Sequence, residues 1–143
     1  MEKEFKTLQL FYAAALADSV YHYHNAGILN LVTEAKLNQQ KLTAPSQLKQ
    51  LNIENPVDLF KHFSEVFGCI RWELSEEKEE VLARGKQCLL CSIARKMNTE
   101  RPCYIYCINP VKSLLEAMSP AYHLSVEKTL WEGEECIFRV QKK

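Results

Sequence analysis

The chain has 143 residues, 47% of them hydrophobic, and eighteen basic residues balance eighteen acidic ones. That length and apolar content suit a single unit over 1–143, with a helical half at 1–68 and a half at 69–143 that carries the sheet and the cysteine-bearing helices. With no net charge and no Lys/Arg run longer than two residues, nothing favours nucleic acid as a partner. No apolar run reaches the roughly 18 to 20 residues that a membrane-spanning helix needs.

Leu8 to Ala17 is a short apolar run ending in Ala15-Leu16-Ala17, superficially like a secretory leader, but Glu2 and Glu4 remove the positive charge that such leaders carry. A cytoplasmic protein is expected, and in that compartment thiols stay reduced. Phe5, Leu8, Tyr12, Leu16, Val20 and Tyr23 recur at steps of three and four and predict a helix over about 4–24 with that face in the core. Asn25-Ala26-Gly27 supplies its stop, and a second helix follows from Ile28 to about Gln40. His22 and His24 point about 200° apart on the first helix and cannot share a metal. Lys41 to Pro45 reads as a linker, after which Ser46 caps a short helix carrying Leu48 and Leu51. Asn55-Pro56 starts another helix, with Phe60, Phe63 and Phe67 as a core stripe and Gly68 as its end.

From Cys69 the period changes to two. Ile70, Trp72 and Leu74 predict a strand, Ser75 to Glu80 a charged turn, and Val81 to Lys86 a returning strand in which Gly85 marks a bulge. Cys88 opens a short helix that Asn98 to Pro102 breaks, and residues 103–108 read equally as a helical turn or an extended segment. Asn109-Pro110 repeats the helix-start signature, and Ser119-Pro120 ends that helix. Tyr122, Leu124, Val126 and Leu130, a turn at Glu132 to Glu135, then Cys136, Phe138 and Val140 form a terminal hairpin, with Gly133 free to take positive φ in the turn. The predicted fold is α+β: helices packed on a four-stranded antiparallel twisted sheet made of two hairpins.

Five of the six cysteines fall between Cys88 and Cys136, which is where the sequence looks chemical. Cys88-x2-Cys91 and Cys103-x3-Cys107 have the spacing of two thiolate pairs that could close on zinc. Cys-x-x-Cys at a helix start also suits redox exchange, with Cys88 attacking and Cys91 resolving. A third reading makes Cys103 or Cys107 a nucleophile and His123, on the adjacent hairpin, its base. Cys69 stands alone before its strand and reads as packing.

Asp18-Ser19-Val20 in the first helix, its stop before Gly27-Ile28-Leu29, Cys88 opening a helix, Pro102-Cys103-Tyr104-Ile105-Tyr106-Cys107 and Pro110 carry a resemblance. So does the block Lys128-Thr129-Leu130-Trp131-Glu132-Gly133 with Cys136, Phe138 and Arg139, its most specific part. Together these resemble the L-2-amino-thiazoline-4-carboxylic acid hydrolase family. That family is similar to 4-vinyl-reductase-type small-molecule-binding domains and to the trafficking-particle fold, helices on a twisted antiparallel sheet. The resemblance implies hydrolytic opening of a cyclic C–N bond in a cysteine-derived thiazoline, giving a carbamoyl-cysteine. Asn109 departs from the acidic residue expected there and cannot take a proton as a general base. The expected site is a small-molecule pocket lined by Cys88, Cys103, Cys107 and Cys136 with Asn109 beside it; a further reading, separate from the ligand site, is a subunit that pairs with a copy of itself through a helical face. A non-enzymatic small-molecule or metal-binding sensor domain is the alternative.

Overall fold

Helix α1 spans Glu2–Asn25 in the structure, a computed structural model that describes residues 1–143. Its buried stripe is Ala13, Ala17 and Val20, whereas Phe5, Leu8 and Tyr12 of the predicted face stay exposed, so the helix packs through short side chains. At its end Gly27 N–H donates to the His24 carbonyl and Ile28 N–H to that of Tyr23, both at 2.9 Å. Gly27 turns left-handed at φ +74°, as the stop signal requires.

Helix α2 runs unbroken over Leu29–Leu51, so the predicted linker at Lys41 to Pro45 is helix and Ser46 is no cap. Pro45 takes one N–H out of the ladder. Ala44 and Leu48 hold the two halves in line by packing into the main core, and exposed Lys41 leaves its freed carbonyl open to water. Helix α3, Pro56–His62, starts as predicted, with Asn55 Oδ1 accepting from Asp58 N–H at 2.9 Å. A π turn, Phe63–Phe67, extends it to Gly68 at φ +68°. The Gln9 side chain fits against Gly68, where an added Cβ would meet its amide at 2.6 Å, and donates to the Val66 carbonyl at 2.9 Å. Of the predicted phenylalanine stripe, Phe60 is core, while Phe63 and Phe67 are half-buried.

Strand β1 is Glu73–Glu77 and strand β2 is Glu80–Gly85, which corrects the predicted bounds. The connection is only Lys78-Glu79, with Lys78 at φ +52°, so the register carries Ser75, Glu76 and Glu77 into the ladder on an edge strand. Gly85 is no bulge. It pairs regularly with Cys136 and leaves room for Ile70, whose Cγ2 would stand 2.2 Å from an added Cβ. The irregularity lies instead between Val126 and Lys128.

Helix α4, Leu89–Lys96, has Cys88 as its cap, and Asn98 turns left-handed beyond it. Residues Tyr104–Ile108 form a second π turn running straight into helix α5, Asn109–Met118, so Asn109-Pro110 continues a helix and starts none. Strands β3, Tyr122–Lys128, and β4, Cys136–Lys142, form the terminal hairpin, and Gly133 in its connection does not take positive φ.

The sheet order is β1-β2-β4-β3, all antiparallel: two hairpins joined along β2 and β4, giving the α+β fold read from the sequence. The main core joins Phe60, Phe138, Leu115, Val111 and Val140, with the Phe60 ring edge-on to Trp72 at 5.3 Å. A smaller cluster of Ala17, Leu90 and Ala94 fixes α1 to α4. No helix is long and apolar enough to cross a membrane.

Candidate functional site

A cavity of about 470 Å³ opens between the first two helices and the segments that carry the cysteines. Tyr12 and Leu16 come from α1, Phe63 and Phe67 from the first π turn, Trp72 from the approach to β1, and Tyr106 from the second π turn. Three thiols, Cys69, Cys88 and Cys107, lie on this apolar wall. Residues of both π turns and of the loop from Cys69 to Trp72 share this wall. Leu89 N–H donates to the Cys69 carbonyl at 2.8 Å, which ties the Cys69 segment to the start of α4.

The polar groups on the wall are few. Lys36, 5.7 Å from the Tyr106 ring centroid, is its only cation, and no Asp, Glu or His is present. Gln40 Oε1 and Ser113 Oγ are buried there without a hydrogen-bond partner, a costly state that a bound donor or water relieves. The Ser19 hydroxyl donates to the Leu16 carbonyl at 2.7 Å and accepts from Tyr106 O–H at 2.5 Å, bracing that ring against α1.

The thiols differ in charge. Burial pushes Cys69 up to about 11 and Cys107 well above the ordinary thiol value, so both are neutral. Cys88 moves the other way. Its hydrogen bond with the Cys91 side chain, followed by the backbone N–H groups of Cys91 and Leu90, outweighs burial and holds it below its ordinary value. Its Sγ accepts from Cys91 N–H at 3.3 Å, the capping position where a helix start favours negative charge.

Behind the wall lies a second group. Cys91 Sγ and Cys103 Sγ are 3.8 Å apart in the core. The Cys91 hydrogen bond, then the Arg101 guanidinium, lowers Cys103 to about 7. Arg101 also reaches Glu132 at 2.5 Å and Thr129 at 3.3 Å. Cys136 Sγ accepts from Leu130 N–H at 3.2 Å, and burial raises this thiol to about 11.

Of the predicted pocket residues, Cys88 and Cys107 share the cavity, and Cys103 and Cys136 lie in the core. Asn109 is half-buried outside the cavity wall. His123 is exposed on β3 and is not among the cavity's lining residues, because Tyr122, Leu124 and Val126 turn inward and leave the alternate positions to solvent. The predicted zinc ligands Cys88, Cys91, Cys103 and Cys107 are split between wall and core, and no group of three or more His, Cys, Asp or Glu is arranged to hold an ion. Cys69, read as packing, is a wall residue; Trp72 reads in the sequence only as the buried side of a strand, and Tyr106, Lys36, Gln40 and Ser113 have no signal in spacing.

The family model for L-2-amino-thiazoline-4-carboxylic acid hydrolase matches residues 8–140. The chain belongs to that family. It is hydrolase-like on this ground, and every residue on the cavity wall falls within the matched span. A crystal structure of a trafficking protein particle complex subunit 3 from Naegleria fowleri, covalently bound to palmitic acid, is similar in fold, with a TM-score of 0.57 at 12% identity over 96% of each chain. No curated protein matches the chain.

Proposed function

We propose that this hydrolase-family protein binds a small cyclic, cysteine-derived metabolite of the thiazoline-carboxylate type in the cavity, where Cys88 engages its amidine carbon. The observation that carries this reading is a charge-favoured thiol at a helix cap opening onto a ligand-sized apolar cavity. Lys36 pairs with the carboxylate, and Gln40 Oε1 accepts from the amidine nitrogen. Hydrolysis on this site runs through Cys88: the thiolate adds to the amidine carbon, the ring C–N bond breaks, and the ring nitrogen leaves as the amine with a proton from water. Water then displaces Cys88 as thiolate and leaves the carbamoyl group on the metabolite's own sulfur.

A second reading, binding of an extended apolar ligand without turnover, is favoured by the wall itself. Thirteen of its 19 residues are hydrophobic, and it has no carboxylate or imidazole to move protons. The structure of similar fold that is covalently bound to palmitic acid supports the same reading.

One experiment separates the two. Thermal unfolding is followed with a thiazoline carboxylate and with palmitate, together with product analysis and the variant Cys88→Ser. The first reading expects the thiazoline to raise Tm with concentration, by about 2.7 kcal/mol of stability at a hundred times Kd, and expects Cys88→Ser to abolish product. A Tm raised by palmitate alone selects the second reading, and no shift with either ligand removes both.

A further inference from the structure

We infer that Cys91 and Cys103 form a dithiol that closes to a disulfide, and that Cys88 is the thiol through which a hydroperoxide in the cavity reaches them. The sequence places Cys91 beside Cys88 in a Cys-x-x-Cys pair, and the fold adds a buried partner twelve positions away, with the Cys91 and Cys103 sulfurs 3.8 Å apart. A disulfide needs about 2.0 Å, an approach that side-chain rotation and the loop between α4 and the second π turn can supply. That loop includes left-handed Asn98 and exposed Glu100.

Access sets the order of events. Cys91 and Cys103 are only 6% and 7% exposed, which keeps bulky disulfide reagents out, whereas Cys88 lies on the cavity wall and touches the Cys91 side chain. Cys88 and Cys103 are both held toward thiolate, the form that reacts with peroxide and with disulfides.

The Cys88 thiolate attacks one peroxide oxygen, the O–O bond breaks, the other oxygen leaves as hydroxide or alkoxide, and Cys88 becomes a sulfenic acid. The Cys91 thiol attacks the Cys88 sulfur; the hydroxyl leaves with the Cys91 proton as water, and a Cys88–Cys91 disulfide results. The Cys103 thiolate then attacks the Cys91 sulfur and expels Cys88 as thiolate. The net change is two electrons from Cys91 and Cys103 to the peroxide. The crosslink joins α4 to the segment carrying Tyr106 and Cys107, so it staples two sides of the cavity together.

The test treats the full chain with hydrogen peroxide, titrates its thiols under denaturing conditions and maps crosslinked peptides by mass spectrometry. It needs no ligand, so its failure is separate from that of the ligand reading. Two of the six thiols should disappear into a Cys91–Cys103 crosslink. Cys103→Ser should stop at Cys88–Cys91, and Cys88→Ser should slow crosslinking by about tenfold or more. Six titratable thiols after treatment, or a crosslink lacking either Cys91 or Cys103, overturns the proposal on wild-type protein alone, whatever the variants do. An unchanged rate in a folded Cys88→Ser protein overturns the relay.

Discussion

Helices α1 and α2 contribute little to the core beyond Ala13, Ala17, Val20 and Ala44, whereas the residues from Ile53 onward supply Phe60, Phe138, Leu115 and nearly every other large buried side chain. The large apolar groups of the first two helices go elsewhere: Tyr12, Leu16 and Leu51 to the cavity, Leu8, Phe11 and Leu31 to solvent at 63%, 67% and 68% exposure. One part of the chain therefore supplies most of the large buried side chains, and the other is a cover that meets it mainly through short ones. A cavity persists between them because short side chains set the helices close at their contact points without filling the space beside those points.

That contrast is most sharply broken from the packed side. Phe138→Ala removes a fully buried ring lying 4.8 Å from Trp72 and 6.4 Å from Phe60, and should cost about 3–5 kcal/mol in urea unfolding. On the cover side, Ala17→Leu forces a larger group against Leu90 and Ala94 and should cost about 1–3 kcal/mol. Hydrogen exchange should rise in α1 while β2 and β4 stay protected. Asn55→Ala removes the cap of α3 and should cost about 1 kcal/mol in the same unfolding measurement.

Cys103 adds a pH dependence. Its folded pKa, about 7, lies below the ordinary 9.0, so the stability it contributes is fully present above pH 9 and fades as pH falls through 7. Cys103→Ser should flatten that part of the stability profile. Smallest of all, Leu8→Ser with Phe11→Ser should change monomer stability by no more than about 0.5 kcal/mol. Sedimentation of the same double variant tests the expected pairing of two copies: a dimer built on this face becomes monomeric, and one built elsewhere is unaffected.

The features legible in the sequence are those carried by local chemistry. Asn55-Pro56, Gly27, Gly68, Cys88 as a helix start and the terminal hairpin each depend on a few neighbouring residues, and each forms where its signal stands. Pro45 and Asn109-Pro110 misled because packing outweighed a local signal, α2 continuing through its proline and α5 starting earlier as a π turn. Short turn chemistry at Lys78-Glu79 moved β1 into residues that read as a loop. The cavity was legible only through Cys88 and Cys107, since its other groups come from segments far apart in sequence and share no period. His123 lay close to the cysteines in sequence, but the strand's alternation turned it away from them.

The missing rung at Pro45 falls between Lys36 and Gln40 on one side and Gln47, Gln50 and Leu51 on the other, all of which line the cavity. A helix lacking a hydrogen bond at one turn bends there more readily than elsewhere. Any bend of α2 at Pro45 therefore moves one set of wall residues relative to the other.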